Sequence, residues 1–579
     1  MNAVEWMKVE KEKAAKMKAT TYDSTVPKEE SKEEKTSQAK LLVQMAKPAQ
    51  LFHTPDDDFY ARVPVNGHYE TWPIRSKAFC SWLTRTFYHS TEKPPGNQAM
   101  SDALRVLEAI AQFEGQKLPV FTRIAKLNDT IYLDLCNEKW QVVEITISGW
   151  KIVNDSPVRF RRAKGMSALP TPSSEGTVDE LRPFINFETE EDFRLIVAWM
   201  IAAFQPESPY PVLTLQGEQG SAKSTTSRVI KSLIDPSTAP LRTFPKDERD
   251  LAIAATNAHI LTYDNLSGIS NQMSDAVCKL ATGGGLATRK LHTDDEEAIF
   301  NVRRPVIING IDDIATRQDL VSRSILVNLP SIPEEKRSDE STFWESFELR
   351  KPSILGALLT AVSGAMRELP KTKLMKKPRM ADFALWATAA EEALGWQKGD
   401  FMKAYGDNII SAVSQGLEAD PVAAAVRLMM AERKDWVGTP RDLLAALNHY
   451  ADDSTRKSRS WPSDRKISGR LKRVSSALRS KGINYYDLGH SERGRKLRLE
   501  RVESTSSVPS ESSESVTIQG FGTDDILTIT MMDVDNYRQT DDVQNVSSGD
   551  KPSRIKEYDD PDDAEDSFET SSSDESILI

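Results

Sequence analysis

Residues 211–230 read PVLTLQGEQGSAKSTTSRVI, and no other stretch narrows the possible folds as much. PVLTLQ is a short apolar run bounded by turn formers, the pattern of a strand buried on both faces in a parallel sheet covered by helices. Gly217 and Gly220 then open a loop, and TTSRVIKSLI continues at helical spacing from about Ser224. A strand that passes through a glycine loop into a helix is half of a βαβ unit, so the neighbouring chain must supply further parallel strands. AHILTYDN (258–265), RPVIING (304–310) and the run after Arg323 in QDLVSRSILVNLP have the required apolar character. An α/β core over 176–335 is predicted.

The loop has the chemistry of phosphate binding. In the pattern G-x-x-x-x-G-K-[ST], glycines let successive backbone N–H groups point inward at phosphate oxygens, the Lys reaches the β and γ phosphates, and the following helix turns its positive end to the anion. Gly217, Glu218, Gln219, Gly220, Ser221, Ala222, Lys223, Ser224 and Thr225 form the candidate ATP-binding set, with Ala222 where the pattern has its second Gly. Asp264, closing its strand, is placed to share Mg²⁺ with Ser224. Asn309 ends the next strand, within reach of a γ phosphate or the attacking water. The plainer readings are a strand-closing Asp and a turn-forming Asn-Gly, and for Arg323 a surface cation.

A chain of 579 residues with 39% hydrophobic and 28% charged residues has room for several domains. No run reaches the ~18 apolar residues of a membrane span, and the N-terminus lacks a signal peptide's apolar core, so a cytoplasmic protein with no membrane partner is expected. The three cysteines, Cys80, Cys136 and Cys278, include no CxxC pair, which leaves neither a disulfide framework nor a zinc ribbon supported. Residues 1–48 are polar and charged and are expected to be disordered. Residues 49–175 read as an α+β domain, with SALPTPSSEGT (167–177) as a linker. Helical patterns dominate 336–415.

Charge divides the C-terminal part sharply. Residues 456–501 carry 15 Lys or Arg against 4 Asp or Glu, whereas 504–579 carry 4 against 19. A basic module at 416–503 and an acidic, disordered tail are predicted. In DRKISGRLKRVSSALRSKG the apolar Ile467, Leu471, Val474 and Leu478 share one helix face, leaving Arg470, Lys472 and Arg473 largely elsewhere. With TPRDLLAALNHY before it and a basic hairpin at 489–496 after it, this order predicts a winged helix that contacts duplex DNA.

GEQGSAKS, LTYDN, ATGGGLATRKLHTDDEEAIF and RPVIINGI together resemble the superfamily 3 helicase domain, a branch of the AAA+ ATPases of viruses, phages and mobile elements. More narrowly, 50–500 looks like phage and integrative-element helicase-like ATPases related to the helicase half of poxvirus-type primase-helicases. The resemblance implies a P-loop AAA+-type parallel sheet core, ATP with Mg²⁺, and a ring, a homo-oligomeric hexamer. A channel hairpin would grip single-stranded DNA through Arg289, Lys290 and His292. It makes Arg323 the arginine finger offered to a neighbouring subunit and Arg379 a second γ-phosphate sensor. The family's acidic residue after the metal-binding Asp is Asn265 here, with Asp247 or Glu248 as substitutes. The function so implied is an ATP-dependent DNA helicase or replication-initiation ATPase with Lys223, Asp264, Asn309 and Arg323 catalytic. The alternative is a DNA-binding regulator that uses ATP as an assembly switch.

Overall fold

The computed structural model describes residues 37–206, 208–284, 286–289, 297–300, 302–310, 317–458, 461–491 and 494–502. The expected disorder of 1–36 and of 504–579 lies outside the described residues, as do Lys290 and His292. The architecture is mixed α/β with several sheets, two of them wholly parallel, one of four strands and one of two.

Order begins earlier than the boundary at 48 drawn from composition. Helix α1 (Gln38–Met45) is capped by Ser37, and Leu42 and Ala46 are buried. They pack with strands β1 (Gln50–His53), β2 (Phe59–Val65) and β3 (His68–Pro73) and helices α2 (Lys77–Thr91) and α3 (Asn97–Phe113) around one small core. Strand β4 (Gln116–Lys117) completes a sheet of order β3-β2-β1-β4. The next segment does not share that core. After β5 (Val120–Phe121), strands β6 (Ile124–Leu127), β7 (Thr130–Asp134), β8 (Val142–Thr146) and β9 (Gly149–Val153) form an antiparallel sheet in chain order, and β10 (Arg159–Phe160) returns to pair with β5. Ile131, Leu133, Val143 and Ile145 join the largest core instead. The expected single α+β domain is therefore two sheets with different allegiances, because alternating residues give the second sheet an apolar face that must be covered. Residues 167–177 lack regular structure, as a linker should, yet they are strapped down. Ser173 N donates to Pro352 O at 2.9 Å, and a Cβ on Gly356 would stand 1.6 Å from Ser173 O.

The central sheet has the order β12-β15-β11-β16, all parallel: β11 is Val212–Gln216, β12 Leu261–Leu266, β15 Val306–Gly310 and β16 Ser324–Asn328. A single parallel bridge, Arg242 to Tyr263, continues the sheet beyond β12. Strand residues alternate between two cores. Leu213, Leu215, Ile307, Ile325 and Val327 face one, with α4 (Glu190–Ala203), α9 (Glu340–Glu368) and α10 (Ala381–Ala389). Val212, Leu261, Tyr263, Val306 and Ile308 face the other, with α6 (Glu248–Asn257) and α7 (Asn271–Thr282). Helix α5 (Lys223–Ile234) follows the glycine loop, and α8 (Gln318–Val321) precedes β16. Strands β13 (Leu286–Arg289) and β14 (Glu297–Phe300) pair antiparallel, so the expected hairpin exists, with its tip outside the described residues.

Helix α11 (Asp400–Ala419) leads to a C-terminal module with its own core. It runs α12 (Pro421–Ala431), β17 (Asp435–Gly438), α13 (Pro440–Leu447), α14 (Asp453–Lys457), α15 (Ile467–Ser480), β18 (Ile483–Ser491) and β19 (Gly494–Arg501), the strands ordered β17-β19-β18. Thr439 and Asp442 form a capping box on α13, as the sequence signals require. Among the described residues no helix is long and apolar enough to cross a membrane.

Candidate functional site

The glycine loop hangs between the carboxyl end of β11 and the start of α5, and those anchors fix its shape. Gly217 has φ +153, and a Cβ there would lie 2.4 Å from Leu329 O and 2.8 Å from Ser221 Oγ, so only glycine passes beneath the segment after β16. Ala222 takes the left-handed conformation its place in the pattern demands, φ 57 and ψ 29. Alanine pays about 1–2 kcal/mol for that conformation. Ala222→Gly should therefore stabilise the protein by about 0.5–1 kcal/mol after glycine's own entropy cost, read as a rise in the urea midpoint.

Lys223 Nζ donates to Gly217 O at 2.8 Å, Glu218 O at 2.7 Å and Ser221 Oγ at 3.3 Å. Desolvation in the loop pulls its pKa below the usual lysine value, and the charge of Asp264 works against that pull. Ser224 Oγ donates to Asp264 Oδ1 at 2.7 Å, joining the first turn of α5 to the end of β12. These are hard oxygen donors suited to Mg²⁺, which keeps water and phosphate ligands and needs few from protein. Among the described residues no group of three or more His, Cys, Asp or Glu is arranged to hold a metal without such help.

Asn309 is brought to this end of the sheet, where it already makes one bond from each end of its amide. It is 1% exposed, its Nδ2 donates to Ser227 Oγ at 3.0 Å, and its Oδ1 accepts from Asn265 N at 3.0 Å. The amide ties β15 to α5 and to the bulge of β12 that follows Asp264. In that bulge Asn265 is left-handed, with φ 56. The suggested acidic substitutes are engaged as well. Asp247 caps α6 by accepting from Asp250 N at 2.9 Å, and Glu248 accepts from Gln272 Nε2 at 3.4 Å.

Two residues near the loop gave no sequence signal. Asn186 Nδ2 donates to Ser221 O at 3.0 Å and Pro330 O at 2.6 Å, clamping the loop to the segment after β16. That segment is further laced to the loop by Leu329 N to Gln216 O at 2.7 Å and Ile332 N to Gly220 O at 3.2 Å. It carries Arg337, whose Nη2 lies 3.3 Å from where a Cβ on Gly220 would stand. Within PEEKRSDE, Arg337 reads as one more solvated charge.

Arg323 lies at the opposite end of the strands, immediately before β16, with its guanidinium on Asp319. Arg379 donates to Asp319 Oδ1 and to Ser322 Oγ, each at 2.7 Å. On α15, Ile467, Leu471, Val474 and Leu478 are buried as their spacing requires. Arg470 is ion-paired to Asp420 at 2.8 Å, whereas Lys472, Arg473 and Arg479 are exposed. Arg479 stands two turns beyond Lys472 on the same helix. The side chain of Arg289 lies outside the described residues.

No curated protein matches this chain. Solved structures of the NrS-1 C-terminal region are similar at 11% and 10% identity, covering 80% and 81% of this chain and 99% of theirs, with TM-scores of 0.34 and 0.33. Residues 178–411 match the family model described as "Actinomycete integrative conjugative element replication protein", and 422–513 match "AICE RepA C-terminal domain". The two models follow one another along the sheet core and the C-terminal module described above, and this chain belongs to the replication proteins of actinomycete integrative conjugative elements.

Proposed function

We propose that this replication protein is an ATP-driven DNA motor: a P-loop AAA+-type ATPase core of the superfamily 3 kind, acting as a hexameric ring, with a C-terminal winged helix. The observation that carries the reading is the Ser224–Asp264 pair at 2.7 Å beside the Lys223 loop, at the carboxyl ends of parallel strands. The order β16-β11-β15-β12, extended by the Arg242 bridge, supports it, because it sets the loop-bearing strand between its neighbours as such a core requires. Loop amides and Lys223 would hold the phosphates of ATP, and Ser224 and Asp264 would hold Mg²⁺, which supplies charge neutralisation at the γ phosphate. The sequence α12-β17-α13-α15-β18-β19 supports the winged helix, with α15 offering Lys472, Arg473 and Arg479 to the phosphates of duplex DNA.

The test is ATP turnover with and without forked DNA. Replacing Lys290 and His292 together by Ala should remove DNA stimulation and unwinding while basal turnover survives. Replacing Lys472, Arg473 and Arg479 should weaken duplex binding and lower its salt slope by about one per lost phosphate contact. Asn265, standing where an acidic residue is expected, favours a second reading in which ATP governs assembly without moving DNA. Binding of ATP with DNA-dependent assembly but no unwinding would select it.

A further inference from the structure

We infer that Asp319 is the positioning residue of an arginine pair, Arg323 and Arg379, that one copy of this chain presents to the nucleotide of a second copy; this rests on the ATP site proposed above. Asp319 Oδ1 accepts from Arg379 Nη2 at 2.7 Å, and its other oxygen pairs with Arg323. Arg379 Nη1 is fixed in turn by Ser322 Oγ at 2.7 Å. Two guanidiniums drawn to one place repel each other, and the shared carboxylate offsets that repulsion and sets their mutual geometry. Burial alone would raise the Asp319 pKa, but the bonds from Arg323 and Arg379 outweigh it and hold the carboxyl below its usual range.

The place of the pair in the sheet decides what it serves. Arg323 O accepts from Val212 N at 2.9 Å, and Val212 is the first residue of β11, whose other end runs into Gly217. At about 3.3 Å per residue, a strand of this length sets the pair roughly 15 Å from the chain's own loop. A sensor acting on its own nucleotide belongs at the loop end, so Arg379 joins Arg323 in serving a neighbour. The side chains of Arg379, Asp319 and Arg323 are 46%, 42% and 21% exposed, open to an incoming surface. A cationic face at one strand end and an anion-binding loop at the other are complementary between copies. That is a head-to-tail contact, the kind whose repetition builds a ring when the rotation between copies closes.

The experiment measures ATP turnover, affinity for a fluorescent ATP analogue and melting temperature for the full chain and four variants: D319N, D319E, R379A and K223A. For Asp319→Asn we expect kcat to fall about 10- to 100-fold, with KM and melting temperature close to parental, because the arginines remain but lose their alignment. Asp319→Glu should recover part of kcat. Arg379→Ala should lose turnover alone and regain it when mixed with Lys223→Ala under subunit exchange, since the mixed interface restores both groups. Parental kcat in Asp319→Asn overturns the positioning role, and no recovery in the mixture overturns action on a neighbour. Both outcomes leave the nucleotide site standing, whereas parental turnover in Lys223→Ala removes the site and this inference together.

Discussion

Lys223→Ala is expected to reduce ATP turnover to background while leaving the fold intact. The ammonium is a point charge held within the loop, and its three present bonds go to the loop itself, so its loss breaks no hydrogen bond to another element. Arg323→Ala is the informative companion. It should bind ATP like the parent yet turn over about 10³-fold more slowly or worse, the range of an arginine finger. Mixed under exchange, the two inactive proteins should regain activity, since one supplies an intact loop and the other an intact arginine. Turnover by Lys223→Ala at the parental rate, or an unmixed Arg323→Ala at full activity, would each refute its own assignment.

Asp235→Ala should cost about 3–5 kcal/mol, the penalty for stranding buried charges. The carboxylate is 1% exposed and accepts from Arg123 Nε at 3.0 Å, Lys231 Nζ at 3.1 Å, His259 N at 2.9 Å and Ile260 N at 3.0 Å. Burial alone would raise its pKa, but Lys231 and Arg123 reverse that and hold it far below the usual carboxylate range. Arg123 extends the network to Asp134 O, Ser167 O and Pro236 O, pinning the β6–β9 sheet to the base of α5. Alanine leaves Arg123 and Lys231 without their counter-ion at that junction. A denaturant titration that shows less than about 1 kcal/mol of loss would contradict the accounting.

Acid should loosen the same junction. His259 is buried, its pKa pushed down to about 4 from 6.5, chiefly by desolvation and then by Arg304. The unfolded chain then takes up a proton that the folded chain refuses, so stability is full above pH 6.5 and declines as pH falls toward 4. Asp235, held low when folded, loses its contribution only at still lower pH. Melting temperatures across that range should show the earlier decline, and His259→Gln should flatten it.

Local pattern was sufficient where chemistry is carried by neighbours in the chain. Although the left-handed Ala222 goes against its residue type and is imposed by the loop, the strand, glycine loop and helix at 212–234 follow from spacing and residue type. The same holds for the capping box at Thr439 and the buried stripe of α15. Asp264 was legible as a carboxylate near the end of its strand, which in fact runs on to Leu266, and its bond to Ser224 joins that strand to the first turn of α5.

Tertiary structure decided whatever depends on partners distant in sequence. Asn309 stands at the carboxyl end of the sheet, and Ser227 and Asn265 each take one bond from its amide, partners that no local pattern shows. Arg470 looked equivalent to Lys472 until Asp420, fifty residues earlier, claimed it. Arg379 changed ends of the sheet, because Asp319 and Ser322 lie next to Arg323 and not next to the loop. The β6–β9 sheet obeys the same rule: alternation shows that one face must be buried, and only the packed chain shows against what.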